Sequence, residues 1–206
     1  MAYVTPGTVA AGDVATAAAW NVLTNDVIDH ESRILLAPQR IETVTLSSNG
    51  NISFSSIPQT YSSLRIVFRA RAVVAVTAVV MCVRFNGDTG SNYSFQFTRS
   101  VNTAVSAGAV VATNIGLGVL PGASADASNF GSGFIDIPQY SVTTTGYKGV
   151  TGGGGCPASA TVANSIQQNA TGQWHNTVPI TSVQLVADNA TSTFVAGSYA
   201  TLIGMP

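Results

Sequence analysis

The chain holds 206 residues, of which 46% are hydrophobic and only 8% charged, against roughly 25% charged in an ordinary soluble domain. Eight basic and nine acidic side chains leave a net charge of -1 with no basic cluster, which excludes a phosphate-neutralising nucleic-acid binder. So little charge on a chain of positive mean hydropathy implies a surface meant to be covered by other subunits.

Residues 1–12, with Pro6, Gly7 and Gly12, predict an extended arm. No basic segment followed by an apolar run stands there, so no secretory signal is expected and folding in the cytosol is. Asp13 or Thr16 can cap a helix running from about residue 16 to residue 36 and ending before Pro38. Within it Trp20, Leu23, Val27, His30 and Ile34 recur at spacings of 3, 4, 3 and 4, the seam of a heptad pattern. Two readings stay open: self-association through that seam, with His30 as a register-setting polar residue, or an amphipathic helix docked on its own β domain. The arm and helix form one unit, 1–38, for attachment and oligomerisation; 39–206 form the other.

From Ile41 onward the texture is β. Strands are predicted at 41–46, 52–57, 64–70, 73–85, 93–101, 110–119, 130–137, 161–167, 180–187 and 194–203, each rich in β-branched or aromatic residues and bounded by Gly, Pro, Asn or Ser. Val44 with Leu46, and Ile52 with Phe54, alternate with polar residues as half-buried strands do, whereas Leu64, Val67 and residues 79–83 read as more fully buried. Asn86-Gly87 is a hairpin signal, because a type I′ turn needs positive φ at both central positions. Asp126 to Asn129 and Gly152 to Gly155 are expected in loops. About ten strands with no helix between them predict a mostly β protein, an antiparallel β-sandwich of jelly-roll-like form, preceded by the arm and the helix. The longest apolar run, Ala72 to Val83, holds 12 residues, too few for the roughly 20 of a membrane-spanning helix, so no membrane insertion is expected.

Residues able to do chemistry are sparse. No Gly-x-Ser-x-Gly elbow accompanies His30 or His175, and the glycine run lacks the Gly-Lys-Ser/Thr ending of a phosphate loop. Asn86, Asp88 and Asn92 resemble the start of a calcium loop, yet its twelfth position is Phe97 instead of glutamate, and turn chemistry explains them without a metal. The nine acids are too dispersed to nominate a glycosidase pair, Asp136 and Asp188 alone lying beside strands. No catalytic residue, metal site, cofactor or enzymatic activity is expected. Cys82 and Cys156 read as free thiols, and the Asn-x-Ser/Thr triplets at Asn51, Asn92, Asn169 and Asn189 as chance. Trp174, His175 and Tyr147, with Tyr140 and Tyr199, are candidates for a shallow sugar-binding face, core packing being the alternative; Trp174-His175 stands in a polar context that reads as exposed.

The run Val4-Thr5-Pro6-Gly7-Thr8-Val9-Ala10-Ala11-Gly12-Asp13, followed by Ala19-Trp20-Asn21-Val22-Leu23 and Asn25-Asp26, resembles the opening of bacteriophage tail-fibre and virion-appendage proteins. Phe54-Ser55-Ser56-Ile57-Pro58-Gln59-Thr60-Tyr61, Arg84-Phe85-Asn86-Gly87-Asp88, Ile137-Pro138-Gln139-Tyr140, Ile180-Thr181-Ser182-Val183 and Ala196-Gly197-Ser198-Tyr199 look like the β domain of the same group. That resemblance implies a non-enzymatic structural protein of a phage particle, located in the virion after folding in the bacterial host. It implies a homotrimer attached to other virion proteins, with a β domain outward, as a tail fibre touching a host-surface glycan; a capsid decoration, cement or head-fibre protein that stabilises the shell is the alternative.

Overall fold

The structure is a computed structural model and describes Asn21, Asn25, Val27, Asp29 and residues 37–143, 146–157, 165–188 and 192–206. The chain divides into two compact units, Met1–Ala37 and Pro38–Pro206. In the first, Asn21, Asn25, Val27 and Asp29 have helical backbone, and Val27 is 55% exposed. The rest of the expected seam, Trp20, Leu23, His30 and Ile34, lies outside the described residues, as does the predicted arm.

The second unit is built from antiparallel strands: β1 (Gln39–Thr45), β2 (Ile52–Phe54), β3 (Ser63–Ala70), β4 (Ala78–Phe85), β5 (Tyr93–Val101), β6 (Ala104–Ala112), β7 (Ile115–Pro121), β8 (Gly131–Pro138), β9 (Lys148–Pro157), β10 (Ser165–Trp174), β11 (Val183–Ala187) and β12 (Tyr199–Met205). They form an eight-stranded sheet ordered β1-β12-β3-β8-β9-β10-β5-β6 and a four-stranded sheet ordered β2-β11-β4-β7. The chain crosses from one sheet to the other at most connections, and the hairpins β5-β6, β8-β9 and β9-β10 are the exceptions.

Alternation explains the layering. In β3, Leu64, Ile66, Phe68 and Ala70 are buried while Arg65, Val67 and Arg69 point away. Val67, expected inside, is 42% exposed because it occupies an outward phase of the strand, opposite Phe134. Inward positions of both sheets merge into one core that includes Ile52, Phe54, Met81, Val83, Tyr93, Leu117, Ile135, Leu185 and Leu202. Each such side chain contributes roughly 1.5–3 kcal/mol by leaving water.

Several expectations are corrected. The Asn86-Gly87 turn forms, with φ of 50° and 69° and Asp88 N–H donating to Phe85 O at 2.9 Å, but it closes no hairpin. β4 belongs to the small sheet and β5 to the large one, so the turn feeds a crossing. The single strand expected at 110–119 is two, β6 and β7, in different sheets, and the strand expected from Val73 begins only at Ala78 after a bend.

Gly152 to Gly155 are no loop. They lie in β9, paired on both sides with β8 and β10. A methyl group built on Gly118 of β7 would stand 3.1 Å from Gly154 Cα, and one on Gly133 would stand 2.1 Å from Gly153 O and 2.6 Å from the Phe68 ring. At Gly118 and Gly154 glycine is required because the two sheets approach backbone to backbone, closer than the usual spacing of about 10 Å, and at Gly133 because β9 and the Phe68 ring of the same sheet leave no room.

The sheet rims differ. β1 carries Arg40 and Glu42 with a register irregularity between them, β2 is three residues long, and β7 is buried throughout. β6 is nine residues of Ala, Val, Ser and Gly in unbroken register with β5 and largely exposed, Val105 at 71% and Val111 at 70%.

Candidate surface-recognition site

The residues best placed to meet another molecule lie on the outer face of the eight-stranded sheet. β10 reads Ser165-Ile166-Gln167-Gln168-Asn169-Ala170-Thr171-Gly172-Gln173-Trp174, and period-two geometry sends Ser165, Gln167, Asn169, Thr171 and Gln173 outward. Register then sets Ser94, Gln96, Thr98 and Ser100 of β5 beside them on one flank, and Gly149, Thr151, Gly153 and Gly155 of β9 on the other. Across these three strands the face carries hydroxyls and amides and no ionisable side chain. Charge begins one strand further, where Asp136 of β8 accepts two 2.7 Å bonds from Arg65 of β3. That pair is surface-exposed, worth about 0–1 kcal/mol, and leaves Asp136 engaged.

Glycine shapes this face. With no side chain at Gly153 or Gly155, a shallow trough of about 530 Å³ opens between Ser132 and Phe134 on one wall and Gln167 and Asn169 on the other. A methyl on Gly153 would meet the Asn169 amide oxygen at 2.2 Å, so the Asn169 side chain lies across the trough floor. Phe134 is 42% exposed beside it. Two more shallow depressions, of about 610 and 470 Å³, continue the same face past Gln96, Thr171 and Gln173 toward β6. Amides and hydroxyls donate and accept in any orientation, and an exposed ring adds an apolar platform. This combination suits uncharged polyhydroxylated ligands or polar protein surface.

The aromatic candidates separate. Tyr147 is 57% exposed and its ring lies 5.0 Å from that of His175, whose Nε2 shares a 2.9 Å hydrogen bond with Ser94 Oγ. These two stand at one end of the uncharged face. Trp174 does not join them: it is 1% exposed and stacks on Tyr93 at 6.3 Å and against Phe85 at 5.9 Å. The polar context misled because Gln173 and His175 occupy the outward phase and Trp174 the inward one. Tyr140 is buried as well, its hydroxyl donating to Pro58 O, whereas Tyr199 is 38% exposed.

Asp88 has a structural task. Its Oδ2 accepts the Trp174 indole N–H at 2.6 Å and its Oδ1 the Gly90 N–H at 2.8 Å, while the Asn92 amide donates to both. The Trp174 bond leads in holding the carboxyl below its ordinary pKa. The Tyr93 hydroxyl donates to Asp88 O at 3.0 Å, and burial pushes its pKa up to about 12. Asn86 is spent likewise, its Oδ1 accepting the N–H groups of Thr181 and Ser182. The Asn86 and Asp88 side-chain oxygens thus face N–H donors, the wrong polarity for a cation. Among the described residues no three His, Cys, Asp or Glu side chains gather as a metal site. No helix among them is long and apolar enough to cross a membrane.

Sequence reasoning missed the trough, though the alternating Gln167, Asn169, Thr171 and Gln173 was a visible signal. Comparison with protein-family models, curated proteins and solved structures finds no match to this chain.

Proposed function

We propose that the chain is a non-enzymatic structural protein of a bacteriophage particle, a homotrimeric appendage whose jelly-roll-like sandwich presents the outer face of its large sheet to a host-surface glycan. The observation that carries this reading is the uncharged amide and hydroxyl face with its glycine-floored trough beside Phe134. The seam spacing of Trp20, Leu23, Val27, His30 and Ile34 supports trimerisation, and the resemblance of the N-terminal run supports attachment to other virion proteins.

The test is binding of labelled full-length protein to host cells and to their extracted surface polysaccharide. Saturable binding is expected, lost in Phe134→Ala/Asn169→Ala with the fold retained. A monomeric mass in solution would overturn the trimer; trimers unchanged by Leu23→Asp, which would set three desolvated carboxylates near one axis, would instead overturn the seam and favour a helix lying on its own sandwich. The second reading, a capsid decoration or head-fibre protein that cements shell subunits, is favoured by the exposed uncharged strand β6, since such strands suit protein contacts. Binding to expanded empty heads and not to cells selects it.

A further inference from the structure

We infer that β6 is an assembly edge, paired antiparallel with β6 of a second copy about a two-fold axis at Gly108. Exposed strand edges recruit other strands, and folded proteins guard them with charge, proline, bulges or brevity. The other rims of this domain carry such guards or are buried; β6 has neither.

The partner follows from the strand itself. Ala104-Val105-Ser106-Ala107-Gly108-Ala109-Val110-Val111-Ala112 reads nearly the same in both directions about Gly108. Antiparallel pairing centred there sets Ala104 against Ala112, Val105 against Val111 and Ala107 against Ala109, with Ser106 against Val110 the one unlike pair. A self-complementary patch is what a two-fold contact between identical chains requires.

Backbone polarity agrees. The two-residue turn at Asn102-Thr103 makes Val101 and Ala104 a hydrogen-bonded pair, Asn102 taking the positive φ of 54°. Parity along β6 then turns the N–H and C=O groups of Val105, Ala107, Ala109 and Val111 away from β5. A two-fold at Gly108 pairs those residues with one another, so every outward group finds a partner.

Charge raises no obstacle. β6 has no ionisable side chain, and the nearest on β5, Arg99, is drawn back by two bonds to Gln168 Oε1 at 2.9 and 2.6 Å. Phe97 packs over Gly108, a methyl there standing 3.0 Å from the ring, so an aromatic of the neighbouring strand covers the edge glycine. An edge alone falls short of the roughly 1,600 Å² of a standard stable interface. The contact therefore acts between copies already held close in a larger assembly, where local concentration supplies the rest. This inference stands whether or not the chain belongs to a phage particle.

Disulfide trapping of the full chain tests it, because a covalent bond accumulates a weak contact. In this register Ser106 and Val110 of opposite copies form a non-hydrogen-bonded pair with Cα atoms about 4.5 Å apart, within disulfide reach. Ser106→Cys/Val110→Cys under mild oxidation is expected to give covalent dimers on a denaturing gel. Ser106→Cys alone gives none, its copies lying four residues out of register. Native Cys82 and Cys156 are buried and add no background. Adding Ala107→Lys to the double variant should abolish the dimers. Equal cross-linking in the single and double variants, indifference to Ala107→Lys, or no dimers from a folded double variant would each overturn the pairing.

Discussion

The crowding of glycine backbone at the centre of the large sheet makes a graded prediction from one chemical change, glycine to alanine. At Gly149 a methyl meets nothing within 4 Å. Gly149→Ala should therefore be neutral or gain about 0.4–1 kcal/mol from a less free unfolded chain. At Gly154 the methyl would stand 3.1 Å from Ser132 O and 3.2 Å from the Phe68 ring, which is itself buried and has little room to move. Overpacking of that kind costs about 1–3 kcal/mol. At Gly133 the intruded atom is Gly153 O at 2.1 Å, backbone of a neighbouring strand, so β8 and β9 must part by more than an ångström and lose ladder bonds. Gly133→Ala should cost at least about 3 kcal/mol, or roughly 6 °C or more of Tm at 2–4 °C per kcal/mol for a domain of this size. Urea unfolding followed by tryptophan fluorescence, with an unchanged m-value, reads the series. Gly133→Ala unfolding at the same midpoint as Gly149→Ala would refute the crowding of β8 against β9.

Asp88 supplies an acid-sensitive increment. Its folded pKa is depressed, chiefly by the Trp174 N–H, so its stabilisation is fully present above the ordinary aspartate value of about 4 and is lost as pH falls through the lower folded value. Trp174→Phe should flatten the fall in urea midpoint below about pH 4; an identical acid profile would sink the assignment. Arg71 staples residues 123–129 by donating to the carbonyls of Ala123, Ala125, Asp126 and Asn129. Arg71→Ala should cost about 1–3 kcal/mol and speed proteolysis within 123–129, and unchanged cleavage there would count against it. Burial raises the Cys156 pKa to about 11 and that of Cys82 well above its ordinary value, so neither thiol should react with a disulfide reagent at neutral pH until the domain unfolds. Stoichiometric labelling of native protein would contradict that.

What could be read in advance follows from where contrast existed. Residues 93–101 were bounded correctly and Leu64 to Ala70 nearly so, because one face of each strand carries apolar residues that pack on the core and the other carries mostly polar ones, which writes period two into the residue types. β6 gave no such contrast, since both its faces are exposed and small residues serve on each, so it dissolved into a single apolar strand with β7. β9 hid for the opposite reason: its midpoint is packed so tightly that side chains are excluded, and absence of side chains reads as a loop. The Asn86-Gly87 turn is local and was legible. Its role was not, because pairing depends on which sheet receives the next strand.

The recognition face shows the same divide. Each outward residue was available from alternation within its own strand, Gln167 and Asn169 in β10 as much as Thr98 and Ser100 in β5. The trough needs more, because its walls come from β8 and β10 and its floor from β9, assembled by registers that pair Gly153 with Phe134 on one side and Asn169 on the other. A shift of one residue in either ladder would turn Phe134 or Asn169 inward and bury the site. Registers are set by inward packing, here by the glycine contacts that admit β9 only where Gly152 and Gly154 meet the small sheet and its neighbours. The outer face is therefore specified from the inside: the glycines that let the sheets touch fix which hydroxyls and amides line up on the surface.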